Sequence, residues 1–172
     1  MEINYTEGLV FFTDISGFAR LAREMELSDL VEFMLKFAEI TRRHVESAGG
    51  TVVKYIGDSA LGYFNNDKID EGVSALLAMQ REIEEDFIVN GKKTGLRVGA
   101  HYGSFACCTL LPVEEPDLIG ETINIAAMIG SGGQSKHRSK LIISPEAFRK
   151  LSAESRKRFH KFTEPIVYLA EV

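Results

Sequence analysis

The chain has no tryptophan, and only two cysteines and four prolines among its 172 residues. The cysteines are neighbours, Cys107 and Cys108. Adjacent cysteines almost never pair with each other, and two thiols without further ligands make no zinc site. A disulfide-stapled module and a zinc ribbon are thereby set aside, and both thiols read as small apolar side chains in a strand. No apolar run approaches the ~18 residues of a membrane helix, so no membrane span is expected. The opening residues MEINYTEG have no basic start followed by an apolar stretch. The expectation is therefore no secretory signal and a cytoplasmic location. Neither a GxxxxGK[ST] nor a GxGxxG loop occurs, so a nucleotide bound here is held by other means. Internal repeats and low-complexity tracts are missing too.

What remains is globular material, 45% hydrophobic and 26% charged with a formal net charge of −5. The length fits a single domain, residues 1–172, able to bury roughly 70% of its unfolded surface without a staple. Charge is unevenly spread. Residues 1–135 carry 11 Lys/Arg against 21 Asp/Glu, whereas residues 136–172 carry 9 against 4. An acidic body argues against a nucleic-acid binder, whose affinity needs a broad positive surface.

Patterning orders the elements. Residues 8–14, GLVFFTD, read as a buried strand, followed by a short helix over Phe18–Glu26. Ser28 is placed to cap a longer helix, with Asp29 and Glu32 in its first turn. Leu30, Val31, Met34, Phe37, Ala38, Thr41 and Val45 form its expected core stripe, ended by Gly49-Gly50. TVVKYI and SALGYF flank Gly57-Asp58 and read as a hairpin. A second amphipathic helix spans 68–88. Two strands are expected next, one over Leu96, Val98 and Ala100, the other FACCTLL after Gly103-Ser104. A loop through Pro112 and Pro116 leads to Asp117 and a helix over 121–130. LIIS is a strand, Ser144-Pro145-Glu146 starts a helix, and IVYLAEV closes the chain as a strand. This order predicts an α+β fold, a largely antiparallel sheet with helices packed on it.

Asp14 ends the first strand and Asp58 sits in the hairpin turn expected beside it. Two carboxylates at adjacent strand ends can share hard divalent cations, which take few protein carboxylates and complete their shells with water and phosphate oxygens. Singly, each has a plainer reading: Asp14 as a helix cap, Asp58 as a turn residue.

Four blocks alter that balance. FTDISGF at 12–18, KYIGDSALGYF at 54–64, RVGAHYG at 97–103 and DLIGETINIAA at 117–127 occur in this order. Together they resemble the class III nucleotidyl cyclase catalytic domain, the adenylate and guanylate cyclase family, over nearly the whole chain. The resemblance implies a ferredoxin-like α+β core working as a head-to-tail dimer, and conversion of ATP to cyclic AMP and pyrophosphate. It implies Asp14 and Asp58 as ligands of two divalent cations, Mg²⁺ or Mn²⁺, with the Ile15 backbone carbonyl as a further ligand. Gly17 and Phe18 match the segment that lies along the triphosphate. Lys54 and Asp117 match the pair that reads the purine in adenylate cyclases, where guanylate cyclases usually have Glu and Cys. Asn124 matches the asparagine that orients the ribose.

One position departs from the family. Met128 stands four residues after Asn124, where an arginine that stabilises transition-state charge is expected. A thioether carries no charge and is only a weak acceptor. Ala19 replaces a common Thr, and FACCTLLPVEEP replaces a Gly-rich connection. Lys136, Arg138 or Lys140 can supply replacement charge, although short charged runs are more often solvated. His160 and Lys161 straddle the place of a phosphate-contacting lysine. His101 reads as packed or hydrogen-bonded, His44 and His137 as surface residues. A second reading follows: a degenerate cyclase domain that binds nucleotide and dimerises, or the partner of another cyclase chain that supplies its own arginine. A diguanylate cyclase would need a GGDEF-like hairpin, whereas the turn here reads YIGDSAL.

Overall fold

The computed structural model describes residues 3–89, 91–110, 115–131, 140–163 and 165–171. In chain order the elements are β1 (Asn4–Ile15), α1 (Phe18–Glu24), α2 (Leu27–Ser47), β2 (Thr51–Ile56), β3 (Ser59–Asn65), α3 (Ile69–Asp86), β4 (Ile88–Val89), β5 (Lys92–Lys93), β6 (Leu96–Leu110), β7 (Glu115–Ile119), α4 (Glu121–Gly130), β8 (Lys140–Ile143), α5 (Pro145–Lys150), α6 (Ala153–Arg156), β9 (His160–Thr163) and β10 (Ile166–Glu171). The main sheet runs β2-β3-β1-β6-β8-β10-β9, with β7 paired to β6 and β4–β5 a separate ribbon. Among these pairs only β6 and β8 are parallel. The leading βαββαβ unit, ordered β2-β3-β1-β6, is the ferredoxin-like core.

Strand alternation divides the core into two layers. Leu9, Phe11 and Ile15 of β1 join Leu96, Val98 and Ala100 of β6 in a cluster that includes Phe37 of α2 and Leu76 of α3. On the opposite face Val10 and Leu61 meet Phe105, Leu118 and Ala126, contributed by the β6–β7 hairpin and α4. α4 approaches β6 so closely that a Cβ on Gly99 would lie 2.1 Å from the Gly130 nitrogen and 2.4 Å from the Ala126 oxygen. Only glycine fits there.

Several expectations change. α2 begins at Leu27 behind an extended Glu26 with no side-chain cap, and the Ser28 hydroxyl instead donates to Asp29 Oδ1 at 3.4 Å. The buried stripe of α2 is Phe33, Phe37, Ile40, Thr41 and Val45, while Val31 is 50% exposed. Two adjacent apolar stripes share this helix, and its periodicity does not say which one meets the sheet. The two strands expected around Gly103-Ser104 are one, β6. Gly103 serves close packing rather than a turn, since a Cβ there would stand 2.5 Å from Thr122 Oγ1. Pro116 lies within β7, whose sole strand partner among the described residues is β6, the edge setting that tolerates proline. The ribbon β4–β5, α6 and β9 had no counterpart in the pattern. Pro112 lies outside the described residues.

Candidate active site

Asp14 is the penultimate residue of β1, on the same side of the strand as Val10 and Phe12. Antiparallel pairing of β1 with β3 brings the β2–β3 turn, with Gly57 and Asp58, alongside it. A buried side-chain bond fixes that approach: the Ala60 N–H donates to Thr13 Oγ1 at 2.7 Å. The two carboxylates sense each other. Burial first, and then the charge of Asp58, push the Asp14 carboxyl above its ordinary range, and Arg97 partly offsets both.

Arg97 is directly opposite Asp14 in the β1–β6 register. It is the site residue that sequence reasoning missed. Alternation in RVGAHYG puts Arg97 on the face opposite Val98 and Ala100, but only the strand register sets it against Asp14.

No cluster of three or more His, Cys, Asp or Glu able to hold a metal occurs among the described residues. Two mutually repelling carboxylates, with the Ile15 carbonyl next in the chain, fit Mg²⁺ or Mn²⁺, which leave most of their shell to water and phosphate oxygens. They do not fit a zinc cage. Gly17 follows in left-handed conformation, φ 77°, and space around its Cβ position is open. Its carbonyl accepts the Arg20 and Leu21 N–H groups as Phe18 opens α1. Phe18 packs against the main core.

Lys54 of β2 donates to Asp117 of β7, Nζ to Oδ2, at 2.6 Å. The other carboxylate oxygen, Oδ1, accepts the Leu118 N–H at 2.8 Å, which fixes the carboxylate's orientation. The two strands belong to different parts of the sheet. They meet because the β6–β7 hairpin folds across the face that holds Val10 and Leu61 and lies against β2. The side chains are 32% and 19% exposed, accessible yet partly desolvated.

Asn124 and Met128 lie one turn apart on the exposed side of α4, whose buried side is Thr122, Ala126 and Gly130. Met128 is 67% exposed. The Thr122 hydroxyl donates to the Ser104 carbonyl at 2.7 Å and ties the start of α4 to β6. Among the described residues no hydrogen bond or ion pair joins Asn124 to either acidic group, or the Asp14/Asp58 pair to the Lys54/Asp117 pair. Each pair is assembled within one chain, but the pairs are not joined to each other.

Of the histidines, His101 is buried and bonded as expected, Nδ1 lying 2.8 Å from Ser144 Oγ. His44 is only partly exposed and pairs with Glu82 at 2.7 Å, a carboxylate also held by Arg43. Cys107 and Cys108 are free thiols in β6, the second buried. His160 and Lys161 are exposed on β9. Lys136, His137 and Arg138 lie outside the described residues, and Lys140 opens β8.

A family model, the adenylate and guanylate cyclase catalytic domain, matches residues 3–168. The chain belongs to that family. It is 26% identical over 153 residues to an adenylate cyclase of Anabaena cylindrica, a match covering 83% of this chain and 30% of that protein. The chain thus spans less than a third of the length of that relative. In fold it is similar to a mutant guanylyl cyclase domain of the RhoGC fusion protein from the aquatic fungus Blastocladiella emersonii, TM-score 0.83 at 22% identity, covering 99% of this chain and 98% of that one. It is also similar to the adenylyl cyclase CyaB from P. aeruginosa, TM-score 0.82 at 20% identity, covering 100% and 97%. No helix among the described residues is long and apolar enough to cross a membrane.

Proposed function

We propose that this domain converts ATP to cyclic AMP and pyrophosphate between two copies arranged head to tail. The observation that carries the reading is the Lys54–Asp117 pair, a positive donor held 2.6 Å from a fixed acceptor. Such a pair suits the ring nitrogen and amino group of adenine. Asn124 orients the ribose from the exposed side of α4, and the backbone at Gly17 and Phe18 runs along the triphosphate. Asp14 and Asp58, with the Ile15 carbonyl, hold two divalent cations, Mg²⁺ or Mn²⁺. When bound, these ions lower the pKa of the ribose 3′-hydroxyl and neutralise the triphosphate. The 3′-oxygen, its proton passed to water, would bond to the α-phosphorus as the bond to pyrophosphate breaks. Arg97 adds positive charge beside Asp14, which matters because phosphoryl transfer depends mainly on positioning and charge stabilisation.

A second reading rests on Met128, which places an uncharged side chain where the family carries arginine. On that reading the domain binds nucleotide and dimerises without efficient turnover, or completes the site of another cyclase chain in a heterodimer.

The deciding experiment incubates purified chain with Mn²⁺ and either ATP or GTP and follows the products by mass spectrometry. Cyclic AMP from ATP alone, lost in Asp14→Ala, supports the enzyme. Silence from a folded dimer that binds ATP moves the assignment to the second reading.

A further inference from the structure

The sheet loses a strand pairing just short of Asp14. β1 stays paired with β6 as far as Ile15↔Leu96, whereas its pairing with β3 stops at Phe12↔Leu61. β3 does not end there, since Ala60 and Ser59 remain paired with Tyr55 and Ile56 of β2. The β2–β3 hairpin therefore leaves β1 as one piece, with Asp58 in its turn.

Such a departure leaves a backbone donor behind. Ala60 is fully buried and its N–H is turned toward β1, where a continued ladder would offer it a backbone carbonyl. A buried N–H without a partner is costly, so the parting needs a substitute acceptor. Thr13 supplies it: the residue is itself fully buried, and its Oγ1 accepts that N–H at 2.7 Å. A side-chain hydroxyl lies outside the line of the backbone carbonyls, so it satisfies the donor while the strands separate.

We propose that Thr13 is a positioning residue for the cation site. Its hydroxyl takes the Ala60 N–H in place of a β1 carbonyl, ends the β1–β3 ladder beside Asp14, and so sets the Asp58 turn where both carboxylates reach the same cations. The inference rests on the reading of Asp14 and Asp58 as cation ligands.

The register shows what an unbroken ladder would do. One further step would set Thr13 opposite Ala60, and a second would set Asp14 opposite Ser59. Residues directly opposite across a strand pair share a face, with Cβ atoms about 5 Å apart. Ser59 would then stand against Asp14, in the room that cations need between the end of β1 and the hairpin turn. Mg²⁺ demands near-ideal octahedral geometry, so a ligand carried on a turn has to be placed closely. Valine at position 13 would fill the same core volume but offer no acceptor. The Ala60 N–H would then stay unpaired or take a β1 carbonyl, and either outcome moves the turn.

The test titrates the full chain, free of nucleotide, with Mn²⁺ and follows paramagnetic broadening of its amide NMR signals. In wild type the broadening should centre on Asp14, Ile15 and Asp58. Thr13→Val should need about ten times more Mn²⁺, the loss typical when a group that orients a metal ligand is removed. Its Asp58 and Ala60 amide signals should also be displaced before any metal is added. Thr13→Ser keeps the acceptor and should titrate as wild type. Leu169→Ala, in β10 and separated from β1 by β6 and β8, should lower melting yet leave the Mn²⁺ requirement unchanged, which separates the effect from instability. Equal Mn²⁺ requirements in wild type and Thr13→Val would overturn the proposal and leave the cation reading intact. Wild type that shows no broadening at Asp14 and Asp58 would overturn both. Thr13→Ser as impaired as Thr13→Val would also overturn it, since shape rather than the hydroxyl would then matter. Should Thr13→Val not fold, Thr13→Ala, which equally lacks the acceptor, takes its place with the same expectation.

Discussion

Met128→Arg tests whether one missing charge limits this domain. The side chain is 67% exposed, so arginine enters without burial or clash. Methionine and arginine have nearly equal helix propensity. The position is in the last turn of α4, which holds no basic residue, so a cation gains about 0.3–1 kcal/mol from the helix dipole. Melting should therefore rise or stay within about 2–4 °C of wild type. Catalysis should change far more. A preorganised donor aimed at developing charge is worth about 10²–10³ in rate, or about 2.7–4 kcal/mol. Position 128 lies one helical turn from Asn124 on the same exposed side, the place from which such a donor would act beside the ribose. The assay is initial-rate cyclic AMP formation from ATP with Mn²⁺, alongside ATP affinity and a thermal melt. A folded variant that binds ATP normally yet gains no activity would refute the idea that charge at 128 is the missing element.

Three further outcomes follow from the same geometry. Asp58→Asn should abolish turnover yet raise the melting temperature at pH 7. The folded chain disfavours ionised Asp14 through burial and then Asp58, a cost present at neutral pH and relieved when Asp14 protonates, so the gain should vanish in acid. Lys54→Met should raise KM for ATP about ten- to hundredfold, the value of a charged hydrogen bond of about 1.5–3 kcal/mol, while steady-state kinetics show a smaller change in kcat. Gly99→Ala drives a Cβ into the backbone of α4, 2.1 Å from the Gly130 nitrogen. Overpacking of this kind costs about 1–3 kcal/mol, so melting should fall by several degrees and activity with it, because α4 carries Asn124.

The α+β class and most of the elements were legible in the chain, because alternation and 3.6-residue periodicity are local properties, whereas the β4–β5 ribbon, β7, α6 and β9 were not. The sequence also marked Asp14, Asp58, Lys54, Asp117 and Asn124 through the company they keep in four ordered blocks. Periodicity could not choose between the two apolar stripes of α2. Nor could it distinguish Gly103 as a packing glycine from a turn glycine, since both depend on what approaches from elsewhere. The partners of the site residues were decided only by tertiary structure. Arg97 stands against Asp14 because of the β1–β6 register, and Lys54 reaches Asp117 because the β6–β7 hairpin folds back over the sheet. α4 settles onto β6 because Gly99 and Gly103 leave room for its backbone and for Thr122. Local preference sets which elements form, whereas the contacts that give these side chains their chemistry span tens of residues and exist only once the layers have packed.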